Sequence, residues 1–304
     1  MYKQSSALFF QVLTSMHAGG DSQLGVVDLP IQREGHTRFP KVEASSLKGS
    51  IRRAVGQHAE QSEVARFFGP TDQGELYASA LSFSDARLLF FPVRSVKGVF
   101  AWVTCPFVLQ RFIDDMKLVH INDLVLPDLE NSIPLVTNSP SRIVSDNKVM
   151  LEEYVFDVNT DTSGVFSTFI QQLISKLPAS ELIKRHLESH AIIVSDDDFA
   201  DFVQLSTEII TRIRINDETG TVDGNGLFNE EYLPSESILY SLVFVSDEHK
   251  ATSAQYQAEK AENINVIIEK WIPETMQIGA NLTLGKGFVA VKMERGGSGH
   301  DKAD

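Results

Sequence analysis

Ser45-Ser46-Leu47-Lys48-Gly49-Ser50-Ile51-Arg52-Arg53 carries an apolar stripe and a basic one on the same short segment. Leu47, Ile51 and Val55 recur at intervals of four, which lines one side of an α-helix. Ser45 and Ser46 place hydroxyls where that helix opens, and its end is expected near Gln57. A helix start leaves backbone N–H groups unpaired, so amides and hydroxyls there are available to an anion. Lys48 and Arg52 share a face displaced from the apolar stripe. Arg53 adjoins them, and Gly49 leaves space for another backbone. The residues alone fit an anion-binding helix and a capped helix with a solvated basic side equally well.

Charge outside this helix decides little by itself. The 304 residues have a net charge of −14, yet residues 1–120 balance at +2 and the remainder at −16. Arg33, Arg38, Lys41, Lys48, Arg52 and Arg53 are opposed within their span only by Glu34 and Glu43. Such a strip can neutralise phosphates whatever the net charge, while the acidic remainder disfavours non-specific nucleic-acid binding. Cys105 is the only cysteine, which excludes an intrachain disulfide and fits a reducing compartment. Lys3 precedes an apolar stretch at Ala7–Leu13, but Gln11 interrupts it and His17 and Asp21 follow in place of small cleavage-site residues. With no long apolar run, a cytoplasmic protein without a membrane partner is expected.

Strands are expected at Ser6–Leu13, within 76–105, at Glu152–Val158, Ala191–Val194, Thr211–Ile215, Ile238–Val245 and Phe288–Met293. Helices are expected from Ser45, over Pro106–Lys117 and Phe166–Leu177, after an Asp197 or Asp198 cap, and over Ser253–Trp271. Residues 14–44 form a long loop rich in Gly and Pro, a length usually tied to function. Residues 118–148 and 175–206 read as insertions, and 296–304 as a flexible tail. Interleaved helices and hairpin-like strands favour an α+β fold on an antiparallel sheet.

The basic helix resembles the hallmark Gly-x-Ser-Ser-Leu-Lys-Gly-x-Ile/Leu-Arg segment of the repeat-associated mysterious proteins, the RNA-binding subunits of CRISPR effectors. Glu43-Ala44 stands where that family's glycine precedes the serines. Leu24-Gly25-Val26-Val27-Asp28-Leu29-Pro30-Ile31-Gln32-Arg33-Glu34 is similar to the loop of the type III-B backbone subunits. The resemblance makes Asp28 the cleavage residue. A carboxylate there can orient a divalent ion or polarise a ribose 2′-hydroxyl, whereas an isolated Asp-x-Pro reads as a turn. His17, in Met16–Gly20, is either a proton shuttle near Asp28 or a hydrogen-bonded structural residue.

Ile278–Phe288 resembles the family's glycine-rich loop, which brings Gly279, Gly285, Lys286 and Gly287 to RNA, with Ala280 at a common glycine position. No βαβ unit continues beyond it and Lys286 is followed by Gly287, which excludes Rossmann and Walker phosphate loops. Asp217–Gly226 resembles the projecting thumb hairpin, about 211–238, with Val222, Leu227 and Phe228 as its apolar wedge; Glu230 and Tyr232 stand at its return, where the resemblance makes them candidates to complete the cleavage site. As residues alone it is a polar hairpin.

The resemblance, from about Leu8 to Val291, implies one domain over 1–295: a ferredoxin-like palm, related to RNA-recognition folds, with inserted segments and the thumb. It implies a repeated backbone subunit that binds guide RNA in a helical filament and cuts complementary target RNA at regular intervals as a metal-dependent endoribonuclease. Mg2+ would be the cofactor, with Asp28 a possible ligand. Partners would be guide RNA, target RNA, further copies of the chain and other effector subunits. A structural guide-binding subunit without catalysis is the alternative.

Overall fold

Ser6 and Phe9, three residues apart on the first strand, must face opposite sides of a sheet, and they meet different helices. In the computed structural model, Ser6 Oγ donates to Asn265 Oδ1 at 3.0 Å, on the helix Ala261–Trp271. Phe9 instead packs edge-on to Phe112 at 6.2 Å, on the helix Pro106–Leu118. Helices therefore cover both faces, which is why the strand Gln4–Val12 is a nearly continuous apolar run, buried from Ser6 onward. The structure describes residues 2–20, 27–70, 77–127, 129, 134–138, 141–178, 180–249 and 257–297.

Gln4–Val12 lies between Phe288–Arg295 and Ile238–Val245, antiparallel to both. Ile238–Val245 pairs antiparallel with Ala86–Arg94, and that strand with Phe100–Thr104. Thr275–Gln277 closes the other edge. The expected α+β class holds, but a wholly antiparallel sheet does not. Ala191–Ile193 runs parallel to Phe100–Thr104, and Leu135–Val136 parallel to Asn159–Thr160. Both parallel pairings use strands from the segments read as insertions, which thus extend the main sheet. The second of these segments also holds the helices Glu181–His190 and Asp196–Leu205.

Local differences have local causes. The expected strand over Glu152–Val158 is a tight hairpin, Lys148–Leu151 with Tyr154–Asp157, turning where Glu152 takes a φ of 48°. Ser195, not Asp197 or Asp198, caps Asp196–Leu205, its hydroxyl accepting from the Asp198 amide at 3.1 Å. The last long helix begins at Ala261; the expected start at Ser253 lies outside the described residues, as do 298–304 of the tail and Leu24–Val26 of the Asp28 loop.

The polar hairpin expected around Asp217–Gly226 carries a second long strand, where only Thr211–Ile215 was expected as one. Glu208–Ile215 and Val222–Tyr232 form a two-stranded ribbon separate from the main sheet. Its Ile209, Ile213, Ile215, Val222 and Leu227 are each about half exposed or more. Among the described residues no helix is long and apolar enough to cross a membrane.

Candidate functional site

Asp28 is exposed and sits at the root of the ribbon. Its Oδ2 accepts from the Asn229 amide at 2.8 Å. Leu29 then adds a parallel bridge, donating to the Asn229 carbonyl at 3.0 Å and accepting from the Glu231 amide at 2.9 Å. The loop after Asp28 thus behaves as a short extra strand on the ribbon's edge. Asp28, Leu29, Gly224, Leu227 and Phe228 line an open cleft of about 660 Å³. Among these described residues, one carboxylate against apolar walls suits a ligand with flat faces and a polar backbone.

His17, Glu230 and Tyr232 do not line that cleft. They meet in a buried cluster under the ribbon's return, because residues 230 and 232 alternate onto one face of their strand. Glu230 is 3% exposed. Its carboxylate accepts from Tyr232 Oη at 2.6 Å, Arg212 Nη1 at 2.6 Å and Asn281 Nδ2 at 2.7 Å. Burial by itself would raise its pKa, but these donors outweigh it and hold Glu230 below the usual carboxylate range. Burial and the bond to Glu230 push the Tyr232 phenol up to about 12. His17 Nδ1 bonds the Glu231 carbonyl at 2.7 Å and therefore carries the proton as donor, while Nε2 stands 3.6 Å from Glu230. Its bonding supports a structural role.

The basic helix spans Ala44–Val55 and buries Leu47, Ile51, Ala54 and Val55, as its periodicity requires. Its N-cap is Glu43, so Ser45 and Ser46 lie inside the first turn. The Ala44 amide is already taken by Asp85 Oδ1 at 2.8 Å, which reduces the anion site expected there. Ser46 Oγ accepts from Gln32 Nε2 at 3.1 Å, joining helix and loop. Lys48 Nζ donates to the Leu81 carbonyl at 3.2 Å and Arg52 Nη1 to the Gly69 carbonyl at 2.7 Å. These two cations brace the following segment, whereas Arg53 is exposed.

The glycine-rich loop docks on the same cluster. Ala280 N donates to the His17 carbonyl at 2.9 Å and Gly287 N to the Ser15 carbonyl at 3.0 Å. Lys286 Nζ donates to Ser15 Oγ at 2.6 Å and lies over the Tyr232 ring at 4.7 Å. Gly279 is wedged against the His17 backbone, while Gly285 faces open space. Sequence reasoning missed Asn229, Glu231, Arg212 and Asn281. Only Asn281 carried a signal: an Asn amid glycines tolerates the left-handed backbone it adopts, φ 63°. Among the described residues, no three His, Cys, Asp or Glu side chains are grouped to hold a metal ion. Among the described residues the cleft offers Asp28 alone, a donor set that fits a hard cation completed by phosphate oxygens and water.

Residues 9–290 match the model of the RAMP superfamily. The sequence is 39% identical over 288 residues to the CRISPR system Cmr endoribonuclease Cmr4 of Pyrococcus furiosus, covering 93% of each chain. It is 28% identical over 308 residues to the CRISPR system CMR subunit Cmr4 of Saccharolobus solfataricus, covering 93% of this chain and 94% of that one. The crystal structure of oligomeric Cmr4 from Pyrococcus furiosus matches with a TM-score of 0.73 at 30% identity, over 96% of this chain and 98% of the other.

Proposed function

Because the chain belongs to the RAMP superfamily, we propose that it is a repeated backbone subunit of a type III-B CRISPR effector, binding guide RNA and cutting complementary RNA at regular intervals. The observation that carries this is Asp28: one exposed carboxylate, fixed at the ribbon root and opening on an apolar-walled cleft. A relative of like length is named an endoribonuclease, and its crystal structure is oligomeric. Guide RNA, target RNA, further copies of the chain and other effector subunits are the partners in this reading, within the cytoplasm.

Residues 1–295 act here as one RNA-binding domain. The strand order 288–295, 4–12, 238–245, 86–94, with helices after the first and third in sequence, supports a ferredoxin-like palm. The separate ribbon supports a thumb whose exposed Val222 and Leu227, with Phe228, wedge between bases. Sequence selection then belongs to base pairing, while the protein reads backbone and shape.

In the cleavage step, Asp28 polarises the 2′-hydroxyl and takes its proton as the oxygen attacks the adjacent phosphorus. The bond to the 5′-oxygen breaks, leaving a cyclic phosphate and, after protonation, a 5′-hydroxyl. Asp28 would be the protein ligand of Mg2+, which when bound supplies charge stabilisation at the phosphate.

The rival reading, a filament subunit in which Asp28 only anchors its loop, draws support from the Asn229 bond. Asp28→Asn separates the two, since an amide oxygen can still accept from that backbone while the charge is lost. Assembly and guide binding should persist and target cleavage should fall at least about 100-fold. Wild-type cleavage by the assembled variant would return Asp28 to the anchoring role.

A further inference from the structure

Glu231 is the ribbon residue that points away from the Glu230 cluster, and it is 5% exposed. Its carboxylate takes Arg33 Nη2 at 2.5 Å, the Ile31 amide at 3.0 Å and Thr207 Oγ1 at 2.8 Å. Its own amide donates to the Leu29 carbonyl at 2.9 Å. One ribbon residue therefore grips loop residues 29, 31 and 33 in turn. Arg33, with a side chain 8% exposed, uses its other terminal nitrogen on the carbonyls of Arg38 at 2.8 Å and Val203 at 3.0 Å. The guanidinium thus ties the loop, the ribbon and the helix Asp196–Leu205 together.

Burying such a pair gives little net stability over apolar residues of similar volume, and its best-attested use is to fix register. Register is the property at stake here, because Asp28 reaches Asn229 only while Leu29 sits opposite Glu230. A slip of one residue would turn the carboxylate to the other face of the added strand.

We infer that the buried Arg33–Glu231 pair is a positioning device for RNA cleavage, locking the Asp28 loop to the ribbon so that the carboxylate stands in the cleft. The inference rests on Asp28 being the cleavage residue. Arg33 and Glu231 touch no RNA in this account and act only through the loop.

The test uses the assembled effector with guide RNA, carrying Arg33→Met with Glu231→Leu, Arg33→Lys, or Asp28→Asn. Single-turnover cleavage at saturating target and target Kd are measured for each. The apolar pair should bind target normally yet cleave about 100-fold more slowly, as expected for a misplaced reacting group. Arg33→Lys, which keeps the charge but loses the fork, should fall between it and wild type, and it decides the matter if the apolar pair does not assemble. Wild-type cleavage rates in these variants beside an inactive Asp28→Asn overturn the positioning role alone. Normal cleavage by Asp28→Asn overturns the cleavage assignment and the positioning role with it. A loss confined to target affinity also counts against positioning.

Discussion

Alanine at Gly279 should damage the fold, and alanine at Gly285 should barely do so, although both glycines belong to the same loop and have similar backbones. Their φ angles are 84° and 72°. A left-handed backbone costs a residue with a Cβ about 1–2 kcal/mol, and at Gly285 that is the whole penalty, since nothing lies within 4 Å of the added atom. At Gly279 the new Cβ would stand 2.3 Å from the His17 carbonyl oxygen and 2.8 Å from its carbon. That carbonyl is held by the Ala280 amide at 2.9 Å, so relief requires breaking the bond. A lost hydrogen bond with a buried, unpaired group adds about 2–3 kcal/mol, for a total of about 3–5 kcal/mol. At about 2–4 °C per kcal/mol for a chain of this order of size, Gly279→Ala should lower Tm by about 10 °C and Gly285→Ala by about 4 °C. Thermal melts of the isolated chain by far-UV circular dichroism would measure both. Equal shifts, or a Gly279→Ala variant as stable as wild type, would refute the argument that the loop docks through the His17 backbone.

Changing Lys48 and Arg52 together to Ala should flatten the salt dependence of RNA binding by about one counterion per lost phosphate contact. An unchanged slope would leave them only as braces on the Leu81 and Gly69 carbonyls. Shortening Thr219–Gly226 to a tight turn should leave the chain folded, because the ribbon pairing from Leu227 to Tyr232 remains. The target fragment ladder from the assembled complex should then fade or lose its spacing, and a normal ladder would reduce the ribbon tip to an ordinary surface turn. Glu230 is held below its ordinary 4.5, so its contribution to stability is complete above that pH and is lost as pH falls through the folded value. The Tm gap between wild type and Glu230→Gln should therefore be wide at neutral pH and close in acid; a gap independent of pH would contradict the bonding pattern at Glu230.

Much of the main sheet and its helices was legible because their signals are local. Leu47, Ile51 and Val55 announced the helix they bury, and the apolar residues of Ser6–Leu13 announced a strand; that helices cover both its faces was seen only in the structure. The helix start was misplaced because its first amide is satisfied from far away in sequence, by Asp85, with no side-chain cap nearby. The ribbon's second strand went unread because Gly224 and Gly226 are turn formers, yet they fall within Val222–Tyr232, whose pairing resumes at Val222 beyond an irregularity. Asp28 was singled out by a contiguous motif. The cluster around Glu230 draws on residues 17, 212, 230, 232 and 281, and the clamp at Glu231 on residues 31, 33 and 207. No period or spacing links such distant positions, so only folding brings them together.

The strand Gln4–Val12 finds both of its ladder partners, Ile238–Val245 and Phe288–Arg295, in the last quarter of the chain. During synthesis at about 5–20 residues per second, it must therefore wait roughly 15–60 s for its second neighbour. Until Ile238–Val245 emerges, Leu8, Phe9 and Phe10, which end up almost completely buried, have neither ladder partner. An unpaired apolar strand is a template for association with other chains. The centre of the sheet is thus the part completed last, and a nascent chain halted before Phe288 would leave one edge of its first strand open to whatever lies nearby.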